Sequence, residues 1–169
     1  MEIRNPAGQI IRPSKWRSSK KGKAPYQGEF YPSNSQKYDG DVNKIVFRSA
    51  MELKMMQYLD LSPTVLSWHS EETVIPYVSP KDQKIHRYFL DMKATIKLNN
   101  GTTKTFLIEV KEEKSTRPPT LPKTGKKTNR FIRESMTYAV NMAKWTSAQQ
   151  VCEEKGWKFQ ILTDKQLRF

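Results

Sequence analysis

The sequence predicts one α/β (α+β) domain in the order helix, three strands, helix, strand, with a mixed sheet and a basic N-terminal arm. Three observations carry this reading. Apolar residues recur at helical spacing in "VNKIVFRSAMELKMMQYLD" (42–60) and again from about Thr128 to Lys155. Between them, "RYFLDMKATIKL" and "TKTFLIEVKEE" alternate with period two around the turn signal "NNGT". Finally, 169 residues suffice for one core with appendages and hardly for two.

Residues 1–40 are rich in Pro, Gly, Ser, Lys and Arg and have no sustained hydrophobic period, so they read as an extended arm, with the domain proper at 41–169. Lys15, Trp16, Arg17, Lys20, Lys21 and Lys23 place an aromatic among cations, as segments that track phosphates do; a solubilising tail has the same composition. "SP" at Ser62 and Pro63 bounds the first helix. "TVIPYVS" (73–79) is a short strand, and Pro76 puts it at an edge or bulge. The two hairpin strands follow, then the basic loop 112–130, the second helix with Gly156 as its C-cap, and a last strand in "WKFQILT" (157–163).

Thirty Lys plus Arg against seventeen Asp plus Glu give a net charge of +13, which favours a polyanionic partner, nucleic acid first. One cysteine and two histidines exclude a disulfide framework and argue against a Cys/His zinc site, so a metal here would be a hard cation on oxygen ligands. No apolar run approaches the ~20 residues of a membrane span, and "MEIRNPAGQI" lacks the order of a signal peptide. The chain is therefore expected to be soluble and made in the cytoplasm, with no membrane partner.

The hairpin carries the chemistry. Asn99, Asn100 and Gly101 suit a three-residue loop with Gly in the left-handed position, which pairs Leu98 with Thr102. Counting outward sets Asp91 opposite Glu109 on one face, and Lys111 follows on the same face. Two carboxylates ~5 Å apart repel by roughly 3 kcal/mol at an effective dielectric of about 20, and a divalent cation between them reverses the sign. A surface ladder of alternating charges with Lys93 and Lys97 is the other reading. Glu52 also has two readings. "SAME" (49–52) matches a capping box, whereas Met55, Met56 and Leu59 put Glu52 beside the apolar stripe, where a buried carboxylate needs a partner.

An acidic helix residue, an Asp on a hairpin strand, then Glu-x-Lys opposite it resembles the PD-(D/E)XK nuclease superfamily, with Asp91 and "EVK" (Glu109 to Lys111) as the motif. "KYDGDVNKIVFRSAMELKMMQYLD", "WHSEETVIPY", "HRYFLD", "EVK" and "GWKFQILT" resemble the TnsA-like branch, and within it the head completion nucleases of large tailed phages, over roughly residues 26–165. Leu90 stands where that motif commonly has Pro. The resemblance implies a restriction-endonuclease-like core and magnesium-dependent DNA cleavage, with manganese able to substitute. It also implies a role in the infected host's cytoplasm during virion assembly, after genome packaging, with capsid or portal proteins as partners.

Under that resemblance, Asp91, Glu109 and the carbonyl of Val110 would hold the metal, Glu52 would bind it directly or through water, and Lys111 would orient the attacking water or stabilise the transition state. Arg48, Lys114, Arg117, Lys126, Lys127, Arg130 and Lys144 are the candidate DNA contacts, on branched DNA or DNA ends; each also suits a solvated face. A structural capsid plug, or a TnsA-like transposon end-cleaving subunit, is the alternative. The arm before residue 26 and the insert 114–127 match no family feature.

Overall fold

A computed structural model describes residues 14–15 and 26–167, with side chains from residue 27. Lys15 therefore enters only through its backbone, and the cluster from Trp16 to Lys23 lies outside the described residues. The element order is β1 (Ser14–Lys15), β2 (Tyr26–Glu29), β3 (Val46–Phe47), α1 (Ala50–Leu61), β4 (Val65–Ser70), β5 (Val74–Val78), β6 (Ile85–Phe89), β7 (Met92–Lys97), β8 (Thr103–Lys111), α2 (Asn129–Lys155) and β9 (Lys158–Thr163). Short 3-10 turns cover Ser35–Lys37 and Glu113–Thr116.

The main sheet has the order β4-β7-β8-β9, antiparallel except for the parallel pair β8 and β9, so it is mixed as expected. Parallel neighbours need a crossover, and α2 supplies it. One face of the sheet, with Met92, Ala94, Ile108 and Val110, packs on Leu53, Met55, Met56 and Leu59 of α1. The other face presents Leu107 to Ala148 and Cys152 of α2 and to Ile75, Tyr77 and Tyr88 of the β5-β6 ribbon. β8, covered on both sides, thus gives a rigid base to whatever its C-terminal end carries.

The hairpin register holds. Met92 faces Ile108 and Lys97 faces Thr103, Leu98 N–H donates to Thr102 C=O at 2.7 Å, and Gly101 takes φ +81°. Thr128 caps α2 by accepting the Phe131 N–H, and Gly156 ends the helix in the left-handed region at φ +67°.

Four expectations need correction. The first helix starts at Ala50, not near Val42, because Val46 and Phe47 are extended and pair with β2, while the Ser49 side chain caps the helix. Residues 26–40 are not an extended arm: Phe30 and Tyr38 pack edge-on against Trp68 inside the core, so the packed region begins well before residue 41. β4, absent from the expected order, is an edge strand of the main sheet; His69 and Ser70 are buried alongside Val65 and Trp68, which hides the period-two signal. Lastly, residues 87–98 form two strands, not one. Leu90 N–H closes the ribbon onto Thr73 C=O, Asp91 C=O accepts Glu71 N–H, and the chain then enters the main sheet at Met92. The interruption shifts the phase, so Tyr88 and Leu90 lie in the α2-side core and Met92 and Ala94 in the α1-side core.

Asp60 fastens the early segment to α1. It is 2% exposed, and its carboxylate accepts the Ser33 and Asn34 N–H groups at 2.8 and 3.0 Å. Asp60→Ala leaves both donors without that partner and is expected to cost about 2–4 kcal/mol, a fall of roughly 5–15 °C in a thermal melt. A change under ~1 °C would contradict this role.

Candidate functional site

The interruption at Leu90 and Asp91 builds the site. Asp91 stands one step beyond the β7-β8 ladder, on the extension of its register toward Glu109. Its Oδ2 accepts the Val110 N–H at 2.8 Å. Glu109 is 3% exposed, and both of its oxygens are engaged: Lys111 Nζ lies 2.7 Å from Oε1, and the Tyr88 hydroxyl donates to Oε2 at 2.5 Å. A solvated charge ladder would leave Glu109 in water, so the burial rejects that reading. Lys93, which shares the face, sits instead over the Trp157 ring at 4.8 Å.

Electrostatics follow from the burial. The Asp91 carboxyl is pushed up to about 8, first by burial and then by the Glu109 charge, against the pull of the Val110 N–H and Lys111. Burial alone would lower the Lys111 ammonium, but Glu109, Asp91 and Glu52 outweigh it and raise it, so Lys111 is a fixed cation. The Tyr88 hydroxyl is raised by burial and then by Glu109; it stays protonated and acts as a donor. Tyr88 is buried in the α2-side core, but its hydroxyl belongs to the site. The available signal was chemical: a buried tyrosine needs a partner for its O–H.

Glu52 adopts the cap arrangement. The Ser49 hydroxyl accepts the Glu52 N–H at 3.1 Å and donates to Oε1 at 3.0 Å, and the Arg48 N–H donates to Oε2 at 2.7 Å. The cap does not detach it from the centre. Its carboxyl is raised mainly by burial, and its charge acts on both Asp91 and Lys111. Among the described residues, no three Asp, Glu, His or Cys side chains converge as a ready metal cage. The convergent set is Asp91, Glu109 and Lys111, with Glu52 behind its cap.

Glu71, missed in the sequence, ties these parts together. It adopts φ +55°, its N–H bonds the Asp91 carbonyl, and its carboxylate takes a two-pronged grip from Arg48 at 2.8 and 3.0 Å. A non-glycine residue in this region is a strained position that neighbours must hold. The link runs from Asp91 through Glu71 and Arg48 to Glu52. It also means that Arg48, expected as a DNA contact, is engaged within the protein.

The arrangement can be compared with known proteins. The family described as TnsA-like endonuclease N terminal matches residues 62–164, which include β4, the ribbon, the hairpin and α2. The chain is also 40% identical over 145 residues to the head completion nuclease of Enterobacteria phage T4, covering 85% of this chain and 94% of that protein. The chain belongs to the TnsA-like endonuclease family. Its mixed sheet between α1 and α2 is the restriction-endonuclease-like core of that family, and Asp91, Glu109 and Lys111 lie at the end of the central hairpin.

In this TnsA-like fold the expected grip residues are not equally available. Lys114 pairs with Glu112 at 2.6 Å, Arg117 with Glu113 at 2.6 Å, and Arg130 with Glu134 at 2.8 Å. Lys126 and Lys127 are exposed. Lys144 stands over the rings of Tyr77 and Tyr88, at 5.7 and 5.4 Å from their centroids, close to the Glu109 end of the site. Among the described residues no helix is long and apolar enough to cross a membrane.

Proposed function

We propose that this nuclease is a divalent-metal-dependent DNA endonuclease that trims or processes DNA in the infected cell during phage head maturation, after packaging. The observation that carries the reading is the buried, cation-deficient pair. Asp91 and Glu109 bring two buried carboxyl groups against Lys111, with the charge of Glu52 felt from behind its cap, inside a chain whose net charge is +13.

The donor set suits a hard cation: carboxylate oxygens at the end of the two central strands, with the Asp91 carboxyl raised first by burial and then by the charge of Glu109. Asp91, Glu109 and the Val110 carbonyl would hold magnesium or manganese, with Glu52 reaching it directly or through water. Bound there, the ion supplies Lewis-acid charge at the scissile phosphate and lowers the pKa of water. Lys111 remains a fixed cation that can orient the attacking water and meet charge developing on the phosphate. Tyr88 holds Glu109 Oε2 in place, and Val110 N–H does the same for Asp91.

A structural capsid plug would have no use for this centre. Burying like charges lowers stability, and an apolar pair would pack there at less cost. The TnsA relationship keeps a transposon end-cleaving subunit as the second reading; it shares the same chemistry and differs in the DNA it meets. Capsid or portal proteins as partners follow from the head-completion reading.

The test is cleavage of linear duplex, single-stranded and forked DNA by the purified chain. Products are expected with magnesium or manganese and none in EDTA. No cleavage of any substrate with either metal would favour the plug.

A further inference from the structure

Arg48, Lys114, Arg117 and Arg130 are paired with acidic neighbours, whereas the α2 cation Lys144 is not among the ion pairs of the described residues, and it shares its helix with a cation that composition did not single out. α2 presents Arg133, Thr137, Asn141 and Lys144 at intervals of four, four and three residues, which places them on one helical face over roughly 16 Å. Arg133 is exposed and, among the described residues, makes no ion pair. The Asn141 side chain is likewise without a protein hydrogen-bond partner among the described residues.

Two clefts flank this row and share Arg133, Thr137 and Asn141. One, of about 570 Å³, lies between α2 and the segment that begins three residues after Lys111, and Tyr138 lines it. The other, of about 410 Å³, runs toward Lys144 and Tyr77. At its end Lys144 covers Tyr88, whose hydroxyl holds Glu109. The row therefore runs from open cleft toward the tyrosine that holds Glu109.

We infer that this face of α2 is a track for one unpaired DNA strand, with Arg133 and Lys144 on phosphates, Asn141 as an adaptable hydrogen-bonding group and Tyr138 as a stacking surface. The inference rests on the DNA-cleaving reading above. Volumes of this size are those of small-ligand clefts, with room for about one or two nucleotide units. Interleaved cations and an aromatic beside a groove are what sequence-tolerant single-strand binding uses.

The test measures binding in EDTA, where no cleavage depends on metal, by fluorescence anisotropy of a labelled 12-nucleotide single strand and of a blunt 12-base-pair duplex. Arg133→Ala is expected to weaken single-strand binding roughly fivefold to tenfold and to lower its salt slope by about 0.7, with less than a twofold effect on the duplex. Lys54→Ala, which removes the same charge from the exposed surface of α1, is expected to change single-strand binding less than twofold. Unchanged single-strand binding by Arg133→Ala, or equal weakening of strand and duplex, would overturn the track. Because no cleavage is read, these outcomes are separable from failure of the catalytic reading, which the metal-dependent assay reports.

Discussion

Glu109→Gln is expected to remove magnesium-dependent cleavage by at least about three orders of magnitude, about 4 kcal/mol of transition-state stabilisation, while DNA binding in EDTA changes little. The substitution keeps shape and can keep the Tyr88 hydrogen bond, so the fold should survive. It removes the charge that Lys111 meets at 2.7 Å and half of the carboxylate pair. Single-turnover cleavage at saturating DNA reads the loss in the chemical step. A variant within tenfold of the parent would show that Glu109 is not at the reaction centre.

Asp91→Asn is expected to lose cleavage to a similar extent and, at the same time, to make the metal-free protein more stable. In the folded chain the Asp91 carboxyl sits at about 8, for reasons of burial first and the Glu109 charge second. An unfolded Asp titrates near ~3.9, so between those values the folded state binds one more proton than the unfolded state. Its contribution to stability is fully present below the unfolded value and is lost as pH rises through about 8. The amide of the variant never acquires the charge. The melting temperature of the variant should therefore match the parent near pH 4 and exceed it at pH 8.5, by about 5 kcal/mol or roughly 10–20 °C. Magnesium should stabilise only the parent. The same shift sets the activity profile. Below about 8 a metal must displace the Asp91 proton, so cleavage at subsaturating magnesium should climb with pH and flatten above that value. A flat profile from pH 6 to 9 would contradict the assignment, as would a variant that melts lower than the parent at pH 8.5.

What was legible in the sequence was local and periodic. "NNG" prescribes the hairpin register, the alternation of Phe106, Ile108 and Val110 identifies the face that packs on α1, and Thr128 and Gly156 bracket α2. From that register alone Asp91 and Glu109 could be paired. Less legible were features whose cause is non-local. The interruption between Phe89 and Met92 depends on Thr73 and Glu71, which lie in other elements, so an uninterrupted alternation was the natural reading of the segment. Tyr88 reaches Glu109 only because of that interruption. β4 was hidden because both its faces are covered near Trp68, and the 26–40 segment because its order comes from Asp60 and Trp68 rather than from its own composition. Glu52 realises both of its readings in one geometry, a cap by hydrogen bonding and a charge felt at Asp91. Composition was least informative about DNA grip, since it counts Arg48, Arg117 and Arg130 without seeing their acidic partners.

That the Asp91 and Glu109 carboxylates form a divalent-metal centre is tested most directly by anomalous scattering from a crystal soaked in manganese at pH 8.5. An anomalous peak is expected between the two carboxylates and beside the Val110 carbonyl, and it should be absent from Asp91→Asn crystals soaked in the same way. Manganese concentrations that support cleavage but leave that position without a peak would contradict the metal centre.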